Sequence, residues 1–146
     1  MTLSIARLTD ADHADWERLF RGYIDFYNRS LTQAEYDRHW AAFREDKRVR
    51  ALGARLDGRL VGITHYFIHA NTSGPDVCYL QDLFTDATVR NQGIGRALIM
   101  AVKDWAKAQG CARLYWMTHE SNATARKLYD KVAENRGFIR YQIELG

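Results

Sequence analysis

The sequence predicts an α/β domain whose central sheet is mixed and mostly antiparallel, with a β-α-β unit at its core and helices on its flanks. Three observations carry this. Two strand-like runs meet at Asp57-Gly58, a pair suited to a two-residue hairpin turn because both positions take positive φ. A third run, "VCYLQDLF", passes through closely spaced glycines into a long amphipathic stretch and then into "RLYWMT". A strand, a crossover helix and a second strand are nearly always wound right-handed with the strands parallel, so one parallel pair joins an antiparallel set.

The elements come in this order. "LSIARL" alternates apolar and polar residues as a short first strand, and Thr9 or Asp10 caps the helix after it. From Asp12 to about Tyr27, the residues Trp16, Leu19, Phe20, Tyr23, Ile24 and Tyr27 recur at intervals of three and four, an apolar stripe on a helix that Asn28, Arg29 and Ser30 end. Thr32 with Glu35 makes a capping box opening a second helix, with Tyr36, Trp40 and Phe43 on one face. The hairpin comes next, then a loop holding Gly74 and Pro75, then the strand "VCYLQDLF". A helix runs from about Ile94 to Gln109 and stops at Gly110, a residue suited to a left-handed cap. After "RLYWMT", Ser121 or Asn122 caps a helix bearing Ala125, Leu128, Tyr129 and Val132, and "GFIRYQIEL" is predicted to finish as a strand. The chain contains no repeats or linkers, so residues 1–146 read as a single domain.

Composition narrows the function classes. Hydrophobic residues at 47% and charged residues at 27% are an ordinary globular balance, and no apolar run approaches the ~20 residues of a membrane span. The N-terminus lacks the order of a secretory signal, so a cytoplasmic location is expected, with no membrane partner. The net charge is +3, from 21 basic and 18 acidic residues scattered along the chain, which gives little support to a nucleic-acid partner and suits a polyanionic cofactor equally well. Cys78 and Cys111 show no metal or redox spacing and read as buried free thiols. His65 and His69, four apart on a strand, read as structural, and no metal is expected.

The glycines Gly93 and Gly95 sit between a strand and a helix start, where exposed N–H groups and the positive helix end can hold an anion. A tight turn without a ligand would look the same. A Walker loop is excluded, since Arg96 and Ala97 come after Gly95 instead of Lys and Ser/Thr, and a Rossmann fingerprint would want a third glycine where Leu98 stands. The order of "RNQGIGRA" after a strand, then "RLYWMT", "SNATARKLY" and "GF", resembles the acyl-CoA-binding core of the GNAT N-acetyltransferases. Its spacing is most similar to the yeast Hpa-type and diamine acetyltransferases, with about one helical turn more than the common pattern between Tyr129 and Gly137.

The resemblance implies acetyl-CoA as co-substrate. Backbone amides of Asn91, Gln92, Gly93, Ile94, Gly95 and Arg96, following Arg90, would cradle the CoA pyrophosphate. Pantetheine would lie along Leu83, Phe84 and Thr85, in a gap between two splayed strands, though Leu83 and Phe84 are equally suited to the core. Asn122 would contact the cofactor and Tyr129 would contact it and protonate the departing thiolate.

The acceptor is expected to be a small primary amine, polyamine- or amino-acid-like, attacked directly in a ternary complex. An alkyl ammonium with a pKa near ~10.4 has no lone pair at pH 7, so the site must supply about three units, or ~4 kcal/mol, toward deprotonation. Similar enzymes place a glutamate in the strand where this chain has Gln81, which cannot accept a proton at neutral pH. The duty falls to Asp82, His65, His119, Glu120 or a water chain, and Asp82 stands as the catalytic candidate alongside Tyr129. An oxyanion donor is expected among the amides around Leu83 or Phe84. Tyr23, Tyr27, Tyr36 and Trp40 are candidate acceptor-lining residues or simply core. Rival readings are a non-catalytic acyl-CoA sensor, encouraged by Gln81, and a protein or peptide lysine acetyltransferase. A homodimer is a base-rate expectation.

Overall fold

The computed structural model describes residues 2–146. One five-stranded sheet, ordered as its strands occur in the chain, carries helices on both faces. Strand β1, Leu3–Arg7, pairs antiparallel with β2, Arg50–Leu56, which pairs with β3, Arg59–His69, and that with β4, Val77–Thr85. Strand β5, Leu114–Tyr115, joins β4 in parallel, so the mixed sheet is as expected. The hairpin turn has φ of 53° at Asp57 and 85° at Gly58, the conformation that this residue pair favours.

Helix α1, His13–Phe26, comes after a single 3₁₀ turn at Asp10–Asp12 that carries a capping box between Thr9 and Asp12. Helix α2, Gln33–Glu45, opens with the Thr32–Glu35 box. Both lie on one face of the sheet, where Trp16, Phe20, Tyr36, Trp40 and Phe43 form an aromatic core with Leu60 and Ile63. Helix α3, Ile94–Ala108, covers the opposite face through Leu98, Ile99 and Val102, and helix α4, Ala123–Val132, packs beside it through Leu128, Tyr129 and Val132. Gly110 ends the α3 turn at φ 83°.

Two expectations are corrected. The strand "RLYWMT" shrinks to Leu114–Tyr115, because after the pairs Cys78↔Leu114 and Tyr79↔Tyr115 the two chains diverge and the ladder stops. The final run, "GFIRYQIEL", forms no strand: a strand exists only by pairing, and residues 133–146 run exposed with no paired neighbour among the described residues. The cysteines are free as expected, but only Cys78 is buried; Cys111 is half-buried. Burial, then the neighbouring Cys111, pushes the Cys78 thiol up to about 12, which makes it an inert core residue.

Candidate active site

Strand β4 shapes the site through one irregularity. The register against β3 runs Thr64↔Leu83, His65↔Asp82, then Tyr66↔Leu80, so Gln81 is an extra, bulged residue. Cys78, Leu80 and Leu83 pack toward α3, while Phe84 packs with the aromatic core across the sheet. Strict alternation would have placed Asp82 on the Leu80 face. The bulge instead turns its carboxylate toward α1 and α2 and leaves Gln81 exposed.

Asp82 is held by a buried polar chain. Its Oδ2 lies 2.9 Å from Nδ1 of His65, whose Nε2 lies 3.0 Å from Nε1 of Trp16. The indole N–H can only donate, so Nε2 accepts and the imidazole proton sits on Nδ1, donated to Asp82. His65 is 1% exposed, stacked on Phe43 at 4.1 Å and edge-on to Phe20 at 4.8 Å. Protonating Nε2 would set two N–H groups against each other in an apolar wall, which removes His65 from the set of proton acceptors. Thr64 Oγ1 donates to the Asp82 carbonyl at 2.8 Å, fixing the backbone as well.

The cleft lies where β4 and β5 part, walled by Tyr23 and Tyr27 of α1, Leu80, Gln81 and Leu83 of β4, Trp116, Met117 and Thr118 beyond β5, and Tyr129 of α4. Asp82 is not part of this wall but lies near enough to Tyr23 for its charge to act on that phenol. Burial, then the nearby charge of Asp82, push the Tyr23 phenol well above its ordinary value. Tyr27 is raised by burial and the same carboxylate. Burial chiefly, with Tyr27 nearby, pushes Tyr129 up to about 12, so it stays a phenol that can donate; its ring lies edge-on to Trp116 at 5.4 Å.

Of the other candidates, Tyr36 and Trp40 are buried around Trp16 and reach no cleft. His119 is exposed, with its ring 6.0 Å from Tyr27. Glu120 is exposed, and its carbonyl accepts from Arg126 at 2.8 Å.

The glycine turn leads from β4 into the N-terminus of α3. Asn91 (φ 65°) and Gly93 (φ 76°, the α3 N-cap) both take the left-handed conformation. A Cβ on Gly93 would meet nothing within 4 Å, so it is backbone conformation and not space that asks for glycine there. Gly95 differs: its Cβ would sit 3.4 Å from Leu128 and 3.9 Å from Leu83, an ordinary contact between α3, α4 and β4. The Ile94 side chain is core, so only its amide is available to a ligand. The first-turn amides of α3 point from a helix N-terminus flanked by exposed Arg90 and Arg96. Arg90 lies 5.5 Å over the Phe84 ring, with Nε 3.3 Å from the Thr85 carbonyl. Asn122 uses its Oδ1 to cap α4 at Ala125 N–H, 3.4 Å away, and its Nδ2 approaches Thr118 Oγ1.

A residue that sequence reasoning misses anchors this turn. Asp86 is buried between Arg18 at 3.0 Å and Arg59 at 3.4 Å and accepts from Thr88 N–H at 3.0 Å. Those donors, the Thr88 N–H first, hold its carboxyl below the ordinary carboxylate range against the opposing effect of burial. No local pattern marks it, because Arg18 is supplied by α1 and Arg59 by the hairpin. Trp16 and His65, 49 residues apart, escape notice as a pair for the same reason.

A larger depression of about 230 Å³ lies across the sheet between β1, β2 and α3, but Arg7 and Arg50 there both pair with Asp46 and offer no free charge. His13, Glu17 and Asp37 also cluster, at a surface where Gln33 ties both carboxylates and His13 stacks on Trp40.

Residues 16–133 match the Acetyltransferase (GNAT) family. Over 136 residues, covering 90% of this chain and 84% of the relative, the sequence is 29% identical to the D-amino-acid N-acetyltransferase HPA3 of Saccharomyces cerevisiae. A crystal structure of a ribosomal-protein-alanine N-acetyltransferase from Brucella melitensis superposes with a TM-score of 0.82 at 25% identity, covering 99% of this chain and 100% of that one. An aminoglycoside N-acetyltransferase solved in complex with CoA shares the fold at a TM-score of 0.86 and 17% identity, covering 98% of this chain and 95% of that one.

Proposed function

The chain belongs to the GNAT acetyltransferase family, and on that premise we propose that it acetylates the primary amine of a small, amino-acid- or polyamine-like molecule. Acetyl-CoA is the donor, and transfer is direct within a ternary complex. The observation that carries the reading is the Trp16–His65–Asp82 hydrogen-bond chain beside a cleft that Tyr23 and Tyr129 both line.

Amides of residues 91–96 and the positive end of α3 receive the pyrophosphate, with Arg90 and Arg96 beside it. The unpaired edge of β4 from Leu80 to Thr85 receives pantetheine as an added strand would be received, and an amide near Leu83 or Phe84 faces the thioester oxygen. The ammonium enters between Tyr23 and Tyr27, where loss of hydration lowers its pKa. Its first proton passes, through the Tyr23 hydroxyl or a water, to Asp82. The nitrogen lone pair then forms the N–C bond, the oxyanion collapses, and the C–S bond breaks. Tyr129 protonates the thiolate and is replenished by the second proton lost from nitrogen.

Support for a small amine comes from the narrow, tyrosine-lined mouth and from the D-amino-acid and aminoglycoside acceptors named for two of the similar proteins. The ribosomal-protein relative keeps a peptide acceptor as the second reading. The test is thiol release and acetyl mass gain on polyamines, amino acids of both chiralities, aminoglycosides and lysine peptides. Transfer to a small amine is expected. Transfer confined to peptides replaces the acceptor, and no transfer despite CoA-dependent thermal protection makes the domain a sensor.

A further inference from the structure

The sheet face that carries His65 continues past it along β3. Tyr66 and Ile68 pack toward α3, so Phe67 and His69 fall on the opposite side with His65. Tyr79 and Tyr115 share that side, because their neighbours Cys78, Leu80 and Leu114 pack toward α3. The four rings form one continuous group. Tyr79 lies 5.5 Å from Phe67 and 4.9 Å from Tyr115, and His69 stands edge-on to Tyr115 at 5.8 Å. All four are only half-buried.

The position and the chemistry of this group both bear on the acceptor. Tyr79↔Tyr115 is the last rung of the β4–β5 ladder, and the next residue on each chain, Leu80 and Trp116, already walls the cleft. Met117, two residues past Tyr115, is a cleft wall as well and is exposed. The rings are fixed by a defined bond. His69 Nδ1 lies 2.9 Å from the Ala70 carbonyl, which only accepts, so in the neutral imidazole Nδ1 holds the proton and Nε2 accepts the Tyr115 O–H at 2.7 Å. No carboxylate belongs to the ring group or to the cleft walls. The cations whose fields reach these tyrosines, Arg140 at Tyr79 and Arg29 at Tyr23, oppose any further ammonium; Asp82, whose field reaches both, serves the reacting nitrogen.

We propose that Phe67, His69, Tyr79 and Tyr115 form the floor that receives the body of the acceptor, and that this body is aromatic: an arylalkylamine or an aromatic amino acid. An amine whose nitrogen reaches the parted stretch of β4 extends its body back over the last rung of the ladder, where the half-open rings meet it. Aromatic pairs attract beyond the area they bury, so an aryl group gains there over an alkyl chain of equal length. A polyamine would bring further charges to a surface without a carboxylate to pair them. The inference rests on the small-amine reading above and narrows it to a single aromatic amine.

The test is thiol release from acetyl-CoA with phenethylamine, hexylamine and spermidine. In the wild type, kcat/KM for phenethylamine is expected to exceed that for each of the other two by ~10-fold. Tyr79→Leu keeps apolar bulk but removes the ring, and should bring the phenethylamine-to-hexylamine ratio close to unity through KM, with CoA affinity held. Tyr79→Phe should keep the preference. Tyr115→Leu, read in the same way, serves if Tyr79→Leu does not fold by circular dichroism. Preference for spermidine, equal use of the aryl and alkyl amines by the wild type, or a ratio that survives loss of the ring overturns the proposal. Absence of transfer to every amine would overturn the small-amine reading instead, and calorimetric titration of phenethylamine into the CoA-bound protein then decides the floor: binding that weakens ~10-fold in Tyr79→Leu supports it, and no binding overturns it.

Discussion

The two ends of β4 carry parts of the site that are made in different ways. The glycine turn is a short contiguous, mostly exposed stretch in which left-handed Asn91 and Gly93 set the direction of the backbone, so its proposed role rests on amides first. The proton-handling end is the reverse. Trp16, His65 and Asp82 come from a helix and two strands; Trp16 and His65 are buried and Asp82 partly so, which leaves one tautomer and one orientation. An anion can be met by any row of amides of the right curvature, whereas a proton acceptor must present one atom at one place. The contrast implies that the ends fail separately, and substitutions can test that.

The largest effect is expected at the buried end. Asp82→Asn keeps shape but removes the charge, and turnover should fall ~10²- to 10⁴-fold in steady-state thiol-release assays. Tyr129→Phe should lower turnover toward the small end of that range, ~10²-fold, because a thiol with a parent pKa near ~8.5 leaves tolerably without help. The loss should shrink for thioesters of more acidic thiols. Wild-type turnover in Tyr129→Phe, measured where chemistry limits the rate, would make that residue only the partner of Trp116.

At the exposed end the expected losses are in binding. CoA at a hundred times its dissociation constant adds ~2.7 kcal/mol to the folded state, and Gly93→Val should abolish most of the resulting rise in melting temperature by forcing the turn out of its left-handed conformation. An unchanged rise in a folded Gly93→Val protein would unseat the phosphate assignment.

The smallest expected effect joins the ends. Asp86 has a folded-state carboxyl held below its ordinary 3.8, so its contribution to stability is complete above that value and lost as pH falls through the lower folded value. Asp86→Asn should cost ~1 kcal/mol at neutral pH by removing the counter-charge of Arg59 and the shorter of the two ion pairs of Arg18, and should flatten the acid limb of the melting-temperature curve. A parallel acid limb in the variant would remove Asp86 as the anchor.

These ends also differ in how far the sequence discloses them. Gly93, Asp57-Gly58 and the Thr32–Glu35 box act on their neighbours, so spacing alone exposes them, and the helices and hairpin lie where that spacing predicts. The bulge at Gln81 has no such mark. It arises because β4 must turn Leu80 and Leu83 to one face and Phe84 to the other, and only that turn brings Asp82 to His65. From sequence, Asp82 is a candidate by position in a motif; its physical warrant is tertiary. The last strand is legible as a pattern, but pattern does not supply the partner edge a strand requires.

The central claim is that Asp82 handles the proton and takes no part in holding the cofactor. It is tested most directly by calorimetric titration of CoA into Asp82→Asn, the variant whose turnover is expected to collapse. The dissociation constant should stay within about twofold of the wild type, since no donor on residues 90–96 has been touched. A loss of CoA affinity matching the loss of turnover would contradict the claim, and would show the buried chain and the glycine turn to be one structural unit.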